Sequence, residues 1–147
     1  MLRAFVFFQF FVSLLLACKC KVAPWKETFE EAKWVSHLKI NNRKVMPDRR
    51  SLVYDAHHID IFKKDGNVSE KIVTLASSSG CGVPDLKVGQ EYLVAGTIAN
   101  GDEPRLISCL MFVQKNTPDS LMGALEWDNV PPELLKMIKS GDFEKNS

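Results

Sequence analysis

The placement of four cysteines constrains this chain more than any other feature. Cys18 and Cys20 stand two residues apart directly after an apolar leader, and Cys81 and Cys109 follow far downstream. Met1 to Ala17 carries one basic residue, Arg3, then an apolar run from Ala4 to Leu16 broken only by Gln9 and Ser13, and it ends on a small residue. This is the pattern of a secretory signal peptide and is short for a membrane span. Cleavage after Ala17 would make Cys18 a new amino terminus. Its α-amine, with an ordinary pKa of about 8, and its carbonyl oxygen would then be free ligand atoms, held in place by a disulfide at the same residue.

An exported chain with an even number of cysteines is expected to form disulfides, here two. A Cys18–Cys20 bridge would close a tiny strained ring, so Cys18 and Cys20 are expected to be tied separately to Cys81 and Cys109. Loops of more than about sixty residues closed this way would each stabilise the fold by up to roughly 4 kcal/mol in the chain-entropy account. The bridges could serve as staples and nothing more. A zinc site of four thiolates fits the spacing poorly, because the C-x-C pair has no C-x-x-C partner.

With 147 residues, 46% hydrophobic and 25% charged, the chain suits one globular domain. Of 19 basic side chains one, Arg3, lies in the leader, so the rest balance the 18 acidic ones. That balance gives no electrostatic case for nucleic acid or an anionic membrane as a partner.

Along the chain, Thr28-Phe29-Glu30-Glu31 has capping-box spacing and predicts a short helix from there to about Lys33. Trp34, Ser36, Leu38 and Ile40 then alternate with Val35, His37 and Lys39, as in a strand with one face on the core. Asn41 to Arg50, with Pro47 and three arginines, reads as an exposed connection. Leu52 to Phe62 is a second strand whose alternation slips at His57-His58, which suggests a bulge. Asp65-Gly66 turns the chain, and Asn67-Val68-Ser69 beside it is an acceptor sequon for N-glycosylation. Ile72 to Ala76 is a third strand. Ser77-Ser78-Ser79-Gly80-Cys81-Gly82 offers little to a core and much exposed backbone to a partner; the alternative is a flexible linker held by a staple. Glu91 to Ile98 and Leu106 to Val113 read as strands joined around Asn100-Gly101, a strong hairpin signal. Five strands with an early helix suggest a small closed barrel. Ser120 to Trp127 reads as a short helix packed on it, Pro131-Pro132 can start another over Glu133 to Lys139, and Gly141 to Ser147 should fray.

No catalytic motif stands out. His37, His57 and His58 lie in strands without H-E-x-x-H spacing, and neither G-x-S-x-G nor a phosphate-binding glycine loop occurs. Adjacent His57 and His58 must face opposite sides of a strand, so at most one could join any single site. The chain is therefore not expected to be an enzyme.

Taken together, Cys18-Lys19-Cys20 after a signal peptide, Ser78-Ser79-Gly80-Cys81-Gly82-Val83, Glu91-Tyr92-Leu93-Val94-Ala95-Gly96 and Leu106-Ile107-Ser108-Cys109 closely resemble the N-terminal, netrin-like (NTR) domain of the tissue inhibitors of metalloproteinases. The resemblance covers about residues 18–127 and leaves 128–147 as a short C-terminal tail. It implies a mainly β fold, an OB-like five-stranded barrel with short flanking helices, and disulfides Cys18–Cys81 and Cys20–Cys109. It also implies a secreted, monomeric inhibitor of extracellular zinc metalloproteinases with no cofactor of its own. In such an inhibitor the mature N-terminal cysteine, here Cys18, chelates the target's catalytic zinc through its amine and carbonyl, and the next residue, Lys19, enters the substrate pocket. Cys20, Lys21, Ser78 and Ser79 would extend the contact along the cleft. Zinc in such enzymes keeps an open position for water, which a bidentate backbone chelator would fill.

The chain departs from the family pattern in three respects. The third disulfide of the domain is missing, since no cysteine occurs near Glu30 or in the tail, and its absence should loosen the first helix and the C-terminal segment. Asp128 to Ser147 is too short to hold the cysteine-rich second domain of vertebrate members, so contacts that depend on that domain are not expected. Lys19 replaces a small hydroxyl residue. Two other readings predict different chemistry at Cys18: a non-inhibitory extracellular netrin-like binding module would not need its free amine, and a lipoprotein, suggested by Leu15-Leu16-Ala17-Cys18, would acylate it.

Overall fold

β1 (Trp34–Val45) is the strand on which the sheet closes, because it pairs antiparallel with β2 (Ser51–Lys64) along one edge and with β4 (Glu91–Ala99) along the other. The computed structural model describes residues 18–114 and 123–143; the expected leader at 1–17 and most of the expected fraying end lie outside them. β3 (Lys71–Leu75) pairs antiparallel with the Ser51–Asp55 end of β2, and β5 (Glu103–Leu106) pairs in parallel with β3 and antiparallel with β4. The ring β1-β2-β3-β5-β4-β1 is a closed five-stranded barrel. A two-residue β6 (Leu125–Glu126) pairs with Tyr92 and Leu93, the part of β4 that β5 does not reach. The helices α1 (Trp25–Glu31) and α2 (Pro132–Ser140) flank it.

Closing so few strands requires strong coiling, and the register shifts supply it. Asn41 in β1 and Ile59 and Phe62 in β2 each stand as an extra residue against the partner strand. The bulge expected at His57-His58 thus falls one residue later, at Ile59. His57 is exposed beside Glu70, while His58 is half-buried and bonded through Nδ1 to the Ser36 hydroxyl at 2.8 Å, so the two histidines do face apart.

Burial follows two cores, one inside the barrel and one outside it. Trp34, Leu38, Ile40, Leu52, Tyr54, Ile72, Val94 and Leu106 fill the barrel. Val35, Leu93, Ala95 and Phe112 form an outer layer with Leu134, Met137 and Ile138 of α2 and with Phe143. This corrects the one-sided reading of β1: residues 34–38 are buried on both faces because the tail covers the second one. His37 is part of that cover, stacked on Trp127 with centroids 3.5 Å apart and joined through Nε2 to Glu91 at 2.7 Å. Gly96 is required where it stands, since a Cβ there would collide with the Trp34 ring and the Arg105 carbonyl.

Other boundaries move for identifiable reasons. α1 starts at Trp25, behind Pro24, and Thr28 is buried inside it with no side-chain cap, so the capping-box reading set its start too late. Its C-terminal carbonyls at Phe29 and Glu30 accept from Lys63 Nζ at 2.7 and 3.0 Å. Half of the expected Asn41–Arg50 connection is strand: β1 runs to Val45, and only residues 46–50 turn. The strand expected over Leu106–Val113 is displaced: β5 is Glu103–Leu106, and the chain beyond it tightens into a 3₁₀ turn at Ser108–Leu110. Of the helix expected over Ser120–Trp127, residues 120–122 lie outside the described ones, Leu125–Glu126 is β6, and Trp127 opens a 3₁₀ turn to Asn129. The expected hairpin forms, with Asn100, Gly101 and Asp102 between the paired Ala99 and Glu103 and with Asn100 and Gly101 at positive φ, 49° and 91°. No helix among the described residues is long and apolar enough to cross a membrane.

Candidate functional site

The segment Cys18–Lys21 lies beside the Ser77–Gly82 loop, and a bridge and a backbone bond join them. Cys18 is disulfide-bonded to Cys81, and Cys20 to Cys109. The Cys18 N–H donates to the Ser79 carbonyl at 2.7 Å. Lys19, Lys21, Ser78 and Ser79 are exposed on either side of this junction. Cys18, Ser78 and Ser79 are therefore brought together as one ridge, with the Lys19 side chain directed to solvent. Lys21 follows on the same segment.

The loop is built, not loose. A 3₁₀ turn at Ser78–Gly80 is closed by Gly80 N–H and Gly82 N–H donating to the Ser77 carbonyl at 3.2 and 3.0 Å, and by Cys81 N–H donating to the Ser78 carbonyl at 3.1 Å. Cys81 takes φ 65°, in the left-handed region that side chains disfavour. The bridge to Cys18 holds it there. Gly82 packs so tightly that a Cβ would strike the carbonyls of Leu75 and Ser77.

Two buried hydroxyls of the barrel anchor the far side of this loop. Thr74 Oγ1 donates to the Leu106 carbonyl at 3.0 Å and accepts from Val83 N–H at 2.9 Å. Tyr54 OH donates to the Val83 carbonyl at 2.7 Å and accepts from Leu86 N–H at 3.1 Å. Burial pushes the Tyr54 phenol above its usual pKa, so it stays a neutral donor. Nothing in the sequence marked Tyr54 or Thr74 as site residues. The visible signal was their spacing: Tyr54 and Thr74 fall on inward positions of strands, where a polar group needs a partner.

Below the ridge lies a cavity of 460 Å³ lined by Cys18, Cys20, Ser78, Ser79, Asp85 and Glu126 among others. The four cysteine sulfurs lie within 4.8 Å of one another. Asn67 is exposed in the connection that leads into β3, whereas the ridge loop leaves the other end of that strand. The five residues of β3, a span of roughly 16 Å, separate the two connections along the strand.

The family profile of the UNC-6/NTR/C345C module matches residues 26–119. A Caenorhabditis elegans protein named "Putative metalloproteinase inhibitor tag-225" is 31% identical over 142 residues, which cover 88% of this chain and 89% of that relative.

Proposed function

The chain belongs to the netrin-like (UNC-6/NTR/C345C) family, on the side of the tissue inhibitors of metalloproteinases, and from that premise we propose that it is a secreted inhibitor of extracellular zinc metalloproteinases. An NTR module of this kind is a binding module and not an enzyme. The observation that carries the proposal is the joining of Cys18 to the Ser78–Ser79 loop by both a disulfide and a backbone hydrogen bond.

After cleavage at Ala17, the neutral Cys18 amine would have two N–H groups and a lone pair. Donation of one N–H to the Ser79 carbonyl, the bond that the Cys18 N–H makes at 2.7 Å, would anchor the amine and leave its lone pair free. The amine nitrogen and the Cys18 carbonyl oxygen then present a bidentate ligand to the open position of a target's zinc. The protein supplies position: Cys81 holds the ligand, Ser78 and Ser79 offer exposed backbone along a cleft, and Lys19 projects ahead of it. Preorganisation of this sort raises affinity because little order is lost on binding. The zinc remains the target's, and the inhibitor needs no metal for this role.

The test is a titration of an extracellular zinc metalloproteinase with the secreted protein. One-to-one loss of activity, with the protein displaced from the enzyme by an active-site chelating competitor in a binding assay, is the expected result. Binding without loss of activity would replace the proposal by the non-inhibitory binding module.

A further inference from the structure

The two disulfides are packed against each other. Cys18 Sγ lies 3.7 Å from Cys20 Sγ and 3.8 Å from Cys109 Sγ, and Cys109 Sγ lies 3.8 Å from Cys81 Sγ. A tetrahedral zinc with Zn–S bonds of about 2.3 Å has sulfur–sulfur edges of about 3.8 Å. Three contacts between the bridges already have that length. From these distances we infer that, when both bridges are reduced, Cys18, Cys20, Cys81 and Cys109 form a four-thiolate site for zinc.

The remaining requirements of a metal site are ligand freedom, a fixed frame, an outer shell and access. The two bonded pairs, whose Cα atoms are 5.1 and 4.9 Å apart, must open, and the sulfurs of the remaining pair, Cys20 and Cys81, already lie within 4.8 Å. Rotamer changes at Cys18 and Cys20, on a surface segment, supply the movement. Cys81 and Cys109 form the fixed half, because Ser108 N–H donates to the Cys81 carbonyl at 3.0 Å. Ser108 Oγ lies 3.6 Å from Cys20 Sγ and 3.8 Å from Cys18 Sγ, placed to donate its hydroxyl proton to a thiolate. All four cysteines are half-buried, and the cavity beside Cys18 and Cys20 gives an ion entry. The C-x-C spacing disfavours zinc only while ligands are paired along the chain; here the fold supplies the second pair.

The chemistry balances with an external dithiol as reductant. Each bridge takes two electrons and two protons from a dithiol, which leaves as its own disulfide, and Zn²⁺ then displaces the four thiol protons to solvent. In this state the metal replaces the two staples and keeps Cys18 beside Cys81.

Cobalt titration of the purified chain, reduced with a non-coordinating phosphine, tests the inference. One equivalent should develop the intense visible absorption of tetrahedral cobalt thiolate, Zn²⁺ should displace it, and zinc should raise the melting temperature of the reduced protein. The oxidised protein and a fully alkylated one should show none of this. Ser108→Ala, which keeps every thiol, should weaken zinc binding about tenfold. Weakly absorbing octahedral cobalt, or equal affinity in the guanidinium-unfolded chain, would overturn the inference.

Discussion

Cys81, Gly82 and Lys19 show how single residues set the ridge. Cys81 holds its left-handed backbone while bonded to Cys18. Replacing it by serine in a still-folded protein is therefore expected to abolish inhibition while the barrel remains, as read by inhibition assays beside circular dichroism. Retained inhibition would show that the bridge does not preorganise the ridge. Gly82→Ala forces a methyl onto backbone carbonyls and should cost about 2 kcal/mol in denaturant unfolding. Lys19 is exposed and under the proposal points into the target's specificity pocket. An unpaired ammonium pays a desolvation penalty in a closed apolar slot, although its stem can reach past the wall to water or a carboxylate. Lys19→Thr should tighten binding to closed-pocket proteases about tenfold, a difference of about 1.4 kcal/mol. A uniform ratio of inhibition constants across a panel would remove Lys19 from specificity. Cys18, Ser78 and Ser79 could be singled out in the sequence because their types and spacing survive outside the fold. Tyr54 and Thr74 could not, since each acts through a carbonyl that is distant in the chain.

Elements were readable where one local signal dominates. The Asn100-Gly101 hairpin needs only its own two residues, and the Pro131-Pro132 start yields α2 at Pro132–Ser140. Reading failed where tertiary contacts override local ones. The chain after Leu106 breaks into a turn that carries Cys109 to Cys20, and α1 begins five residues after Cys20, earlier than Thr28 suggested. The β1–β2 turn has its own pH response. The Asp48 carboxylate accepts from Ser51 N–H at 3.0 Å, Arg50 N–H at 2.9 Å and the Ser51 hydroxyl at 3.1 Å. These backbone donors, Ser51 first, hold its pKa below the usual 3.8. A depressed carboxylate contributes order above its unfolded pKa and loses it as pH falls through the folded value. Protection of the Arg50 and Ser51 amides, measured against their intrinsic exchange rates at each pH, should accordingly fall on acidification below about pH 4, ahead of the barrel amides, and Asp48→Ala should remove the dependence. Simultaneous loss of protection throughout the barrel would contradict this.

At the scale of the whole molecule, the tail is part of the fold. The missing third bridge led to the expectation of a loose α1 and C-terminal segment, yet Phe29 and Phe143 meet with ring centroids 4.8 Å apart, and Trp127 stacks on His37. Apolar contact joins the segments that lack a bridge. Phe143→Ala should cost about 3 kcal/mol in denaturant unfolding. A loss near zero would mean the tail does not close the outer core. The barrel class was visible from strand count and hairpins, but the second core was not, because burial on both faces of β1 depends on residues a hundred positions away. All of this scaffolding serves, under the proposal, to present one amine and one carbonyl at Cys18. The most direct measurement is inhibition of a susceptible zinc metalloproteinase by the mature protein with and without a single alanine added before Cys18. The account predicts that the extension, which turns the amine into an amide and adds bulk in the cleft, abolishes inhibition without altering the fold. Equal inhibition by the two forms would contradict it.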